Sequence, residues 1–128
     1  MKDLKYLFAY TVPLATLISF NSFGIGTYTA VFYAFVVLPV LDVVLGKSSN
    51  NLTESKREEK KLNKIFDWML YINLPIVYVL MVYGFNKVSS IDYTIAEKIG
   101  LYLSGGILLA TNGINVAHEL CHRRKYYE

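Results

Sequence analysis

The chain has 128 residues, of which 54% are hydrophobic and 18% charged, with a formal net charge of +3. That is enough chain for one domain and less charge than the usual quarter. Cys121 is the single cysteine, which excludes an internal disulfide framework. The small positive balance requires no nucleic-acid partner, because membrane topology accounts for it.

The charges are unevenly spread. No Asp, Glu, Lys or Arg occurs in the 36 residues from Tyr6 to Leu41, the 19 from Trp68 to Asn86, or the 19 from Ile99 to Ala117. About 20 uncharged, mostly apolar residues are what crossing ~30 Å of hydrocarbon requires. As one helix the first run would measure about 54 Å, so it must fold back on itself. Asn21-Ser22-Phe23-Gly24 is where a turn is cheapest. Lys2 and Lys5 before an apolar stretch also open secretory signals. Here the apolar run continues into a second span without an evident cleavage site, so a retained first helix is expected.

The sequence therefore predicts an all-α integral membrane protein, one domain over 1–128, with four transmembrane helices arranged as two hairpins. The spans are expected at about 6–21, 25–45, 66–85 and 99–117. Pro13 and Pro39 fall inside them, which membrane helices tolerate. A polar connector begins at Gly46, and Ser55 and Glu58 form a capping-box pattern that starts the helix leading into the third span. Asn86 to Asp92 reads as a polar turn, and Glu97 and Lys98 lead into the fourth span. With the N-terminus cytoplasmic, the inner side receives Lys2, Lys5, the six basic residues of the loop at about 46–65, and Arg123, Arg124 and Lys125. Only Lys87 and Lys98 of the 13 basic residues remain outside. The positive-inside rule thus places both termini in the cytoplasm.

The fourth span ends in His118-Glu119-Leu120-Cys121-His122. Two imidazoles four residues apart lie about one helical turn apart on one face, close enough to share a metal or to sit beside two. On a wheel at ~100° per residue, Ser104, Thr111, Asn115, His118 and His122 fall within an arc of roughly 60°. Thr111 and Asn115 are therefore candidates to steady the metal ligands by hydrogen bonds. Gly106, Ala110, Gly113 and Ala117 collect on nearly the opposite face, where small residues let another helix approach. Asp42 lies near the inner end of the second span and is a further candidate, since intramembrane carboxylates are costly. Cys121 is expected to be a buried small side chain. Zinc proteases use this spacing with the intervening glutamate polarising water, and oxygen-activating iron sites also hold their metal through histidines. The local pattern leaves both open, together with a small non-enzymatic membrane protein carrying an incidental motif.

The stretch from Asn112 to Arg123 resembles the first histidine box of the membrane alkane hydroxylases, the alkane 1-monooxygenases, within the membrane di-iron desaturases and hydroxylases. Leu38-Pro39-Val40-Leu41-Asp42 followed by Gly46 resembles their second span and its exit. The resemblance covers essentially the whole chain and is strongest in its last twenty residues. It implies a multi-pass protein of the bacterial inner membrane with a non-haem centre of two iron ions on the cytoplasmic side. His118 and His122 would be iron ligands, and Glu119 a structural or supporting group. It also implies oxygen, rubredoxin as electron donor, and terminal hydroxylation of an alkane lying in the bilayer. A fatty-acid desaturase or hydroxylase of the same fold, or an intramembrane zinc protease, are the alternatives. The family's two further histidine-rich motifs would lie beyond Glu128. The resemblance thus implies the N-terminal third of a longer enzyme, with these 128 residues alone expected to be inactive.

Overall fold

A computed structural model describes residues 10–45 and 64–121, and these are helical apart from short turns. Helix α1 is Thr11–Phe20. A 3-10 turn at Gly24–Tyr28 then leads into α2 (Thr29–Phe32), a π-helical segment at Tyr33–Val37, and α3 (Leu38–Leu45). Helix α4 is Lys64–Ser90, followed by α5 (Ile95–Leu108), a second π segment at Leu109–Ile114, and α6 (Asn115–Cys121). Several expectations lie outside the described residues: the basic N-terminus, the capping box at Ser55 and Glu58, the cytoplasmic loop, and His122.

Three helical stretches are long and apolar enough to cross a membrane: Gly24–Val44, Tyr71–Ser90 and Ile95–His118. They correspond to the second, third and fourth expected spans. Helix α1 lies in the expected first span, but its ten described residues are shorter than a crossing. Pro13 sits in the first described turn of α1. Pro39 sits in the first turn of α3, four residues after Phe35. Its ring would crowd the Phe35 carbonyl in a regular α-helix, and the wider π turn at Tyr33–Val37 relieves this.

The second hairpin departs from the expected boundaries. Helix α4 continues to Ser90, so the turn is shifted to residues 91–94. Helix α5 starts at Ile95 because Thr94 and Glu97 form a capping box: the Thr94 hydroxyl accepts from the Glu97 amide, and Glu97 Oε2 accepts from the Thr94 amide at 2.8 Å. Two apolar clusters join the hairpin. Phe20, Tyr93 and Leu101 pack with Tyr83, Val88 and Ile91, and Val77, Leu80 and Leu108 pack with Ile76 and Met81. In lipid such packing acts through dispersion, since the surrounding tails are as apolar as the core.

Glycines decide how closely the helices approach. A Cβ on Gly84 would lie 2.5 Å from the Phe20 ring, and one on Gly100 would meet the Thr27 hydroxyl and, at 2.7 Å, the Tyr28 ring. The small-residue face foreseen along the last span is different. Gly106 has nothing within 4 Å of a Cβ, Ala110 and Ala117 are exposed, and Gly113 is half-buried in ordinary contact with Leu109 and Val77. Gly106, Ala110 and Ala117 are thus exposed instead of packed against another described helix. The π segment at Leu109–Ile114 turns more residues per revolution and shifts only the positions after it.

Candidate metal centre

Helix α6 carries His118 to Cys121 of the histidine motif as the continuation of α5 beyond the π segment. Its Val116 is buried, while Ala117, His118 and Cys121 are exposed. The expectation of a buried Cys121 is thus corrected: it is a free, exposed thiol on the last described turn, away from the side that Val116 buries. Asn115 and Glu119 lie on the same helix. Asp42 is exposed near the end of α3.

The expected polar stripe does not form one continuous face. Ser104 is fully buried and donates to the Thr27 carbonyl at 2.9 Å, far along the helix from the histidines. Thr111 is half-buried, with its hydroxyl 2.7 Å from the Ile107 carbonyl and 3.0 Å from Asn112 Oδ1. His118 faces outward. The π segment explains why residues aligned on an ideal wheel are distributed between core and surface.

A polar pair that the sequence reading did not single out lies in the same half of the bundle. Asn112 and Asn73 are 5% and 4% exposed, and Asn112 Nδ2 donates to Asn73 Oδ1 at 3.3 Å. The bond joins the π segment to α4, and Thr111 is in contact with Asn112 at its other side. Amides buried at membrane depth need partners, because lipid offers none. The signal for Asn73 was an amide within a charge-free run, but its partner is 39 residues away and no local pattern names it. Asn112 is six residues before His118, so the pair braces the helix that delivers the imidazole. π segments recur at functional sites.

The donor chemistry is incomplete within these residues. Among the described residues no group of three or more His, Cys, Asp or Glu side chains could hold a metal ion. His118 offers one imidazole, and iron or zinc needs several donors. The described residues alone therefore do not fit a closed metal centre.

No family model matches the chain, and no solved structure matches it. Known proteins of similar sequence do. Alkane 1-monooxygenase 2 of Alcanivorax borkumensis is 31% identical over 131 residues, covering 96% of this chain and 34% of that protein. Alkane 1-monooxygenase of Pseudomonas putida is 30% identical over 105 residues, with 80% and 25% covered. Alkane 1-monooxygenase 1 of Alcanivorax borkumensis is 28% identical over 94 residues, with 72% and 22% covered. The chain thus spans about a third or less of the length of these relatives. The resemblance read from the histidine motif and the second span holds, and the chain is related along nearly its whole length to the alkane 1-monooxygenases.

Proposed function

We propose that this chain supplies the first histidine motif of a membrane-bound non-haem di-iron monooxygenase that hydroxylates alkanes at the terminal carbon. The observation that carries the reading is similarity over 96% of the chain to a protein named alkane 1-monooxygenase. The exposed imidazole of His118, at the end of an apolar span, supports it. In this reading His118 and His122 are two of the iron ligands and the others come from outside these 128 residues. Iron would supply oxygen activation. Glu119, Asn115 and Asp42 would hold or orient the ligands, and the Asn73–Asn112 pair, with Thr111 beside it, would fix the helix that carries them. The substrate class is taken from the relatives' names and agrees with solubility: an alkane partitions into the bilayer, which three apolar stretches of this chain are long enough to cross. Electrons would reach the metals from rubredoxin, and the distribution of basic residues supports a cytoplasmic motif in what would be a bacterial inner membrane.

The test begins with the gene beyond the codon for Glu128. An open frame with two more histidine clusters after further hydrophobic spans is expected. The protein expressed from that frame should bind two irons per chain, and His118→Ala or His122→Ala should each remove most of the iron. A stop codon directly after Glu128, or zinc in place of iron, would overturn the proposal. The 128 residues alone are expected to hold far less than stoichiometric iron.

A further inference from the structure

An apolar cavity of about 180 Å³ lies between α4 and α5, at the end of the hairpin away from α6. Met81, Gly84 and Val88 line it from α4, and Tyr102, Gly105 and Gly106 from α5. Phe20 of α1, only 3% exposed, closes its inner side, while Phe85 and Tyr102 stand 57% exposed at its mouth. Glycines make the space. A Cβ on Gly106 meets nothing within 4 Å, and one on Gly105 would find Met81 Sδ at 3.6 Å and Phe20 Cζ at 3.7 Å, ordinary contact distances.

Both helices are apolar enough to span a membrane, which puts the mouth at the depth of the hydrocarbon. An empty apolar space would forfeit dispersion contacts along its lining, and lipid is at hand to fill it. A helix, about 10–12 Å across with side chains, does not enter a space of this size. A single alkyl chain does.

The charge pattern identifies what that chain is attached to. Lys98 and Lys87 are the two basic residues that the positive-inside arrangement leaves on the other side of the membrane. Lys87 Nζ lies 5.5 Å from the centre of the Tyr83 ring. Lys98 is half-buried in the first turn of α5, and residues 98, 102, 105 and 109 recur at helical spacing. The cation and the cavity therefore share one face, with the cation at the polar end of the span. The neighbouring Glu97 carboxylate is turned inward, accepting from the Gly24 amide at 2.6 Å and from Thr94 at 2.8 Å. We infer that this face binds a bilayer phospholipid, with one acyl chain in the glycine-floored cavity and its phosphate at Lys98.

Photolabelling tests the inference. The protein is placed in phosphatidylcholine vesicles containing a phosphatidylglycerol analogue with a diazirine at mid-chain, and the labelled residues are mapped by mass spectrometry. Label should concentrate on Met81 and Tyr102, several-fold above Tyr78 and Val79, which are exposed elsewhere on α4. Gly106→Leu fills the cavity from a position with no close neighbour and should reduce that label to the level of Tyr78. Lys98→Gln leaves the cavity open and should lower the label by roughly two- to fivefold, the range of a partly exposed ion pair. Uniform labelling around the helices that Gly106→Leu does not change would overturn the site. Loss of label on adding equimolar n-dodecane would assign the cavity to a free alkane and likewise overturn it.

Discussion

The two ends of the helical bundle satisfy their polar groups in different ways. At the end holding the first turn and the start of α5, the chain's own groups close a network. Glu97 accepts from the Gly24 amide, Tyr28 donates to the Ala96 carbonyl at 2.7 Å, and Tyr83 donates to Asn21 Oδ1 at 2.5 Å. Thr27 donates to the Gly24 carbonyl at 2.8 Å and receives Ser104 on its own carbonyl. Gly24, at φ +57°, lets the chain enter this turn in a left-handed conformation that a side chain would strain. At the other end, α6 buries Val116 and presents His118 and Cys121 to the outside. One end is fastened by a network of internal hydrogen bonds, whereas the last described turn at the other carries an exposed imidazole and an exposed thiol. Imprecise helix placement at the fastened end would be carried along α5 to the end that bears His118.

The largest effect is expected from breaking the fastened end. Gly100→Ala drives a Cβ into the Thr27 hydroxyl and the Tyr28 ring, both part of the network. Overpacking of this kind costs about 1–3 kcal/mol, against a gain in helix propensity of at most about 1 kcal/mol. The variant should melt at a clearly lower temperature in detergent than the parent. An unchanged melting temperature would mean that this end is looser than its hydrogen bonds imply. A smaller effect is expected nearer the histidines. Asn112→Leu strands the Asn73 amide oxygen, and such bonds in membrane proteins are worth ~0.6 kcal/mol on average and up to ~1.7. Its cost should shrink when Asn73→Leu is combined with it, as read from a double-mutant cycle of unfolding free energies. Strictly additive costs would remove the pair as the brace of the second half.

The apolar spans were legible in the sequence because charge inside hydrocarbon is so costly that its absence over 19 residues marks a crossing. Boundaries were less legible. Asn86, Ser89 and Ser90 looked like a turn, yet α4 runs through them, since polar residues at a helix end need only water or a headgroup. The start of α5 was in fact written at Thr94 and Glu97, in the same spacing noticed at Ser55 and Glu58. At the candidate site the motif and its place at the end of a span could be read, and so could the resemblance that relatives bear out. The Asn73–Asn112 bond could not, because it joins residues on different helices. The stripe through Ser104, Thr111 and His118 failed for a local reason: nothing in the residue pattern announces the π segment, and a wheel accumulates its phase error beyond it.

The smallest effect has the most to say about the contrast. Gly106→Ala is the same substitution as Gly100→Ala, on the same helix, less than two turns further on. No atom lies within 4 Å of the added methyl, so no overpacking term opposes it. What remains is the entropy that glycine loses in a helix, roughly 0.5–1 kcal/mol in favour of alanine. Gly106→Ala should therefore melt at the same temperature as the parent or slightly higher, while Gly100→Ala melts lower. If both destabilise alike, the face at Gly106 is covered by something close-packed. The distinction between a fastened interior and an open flank would then fail at its simplest point.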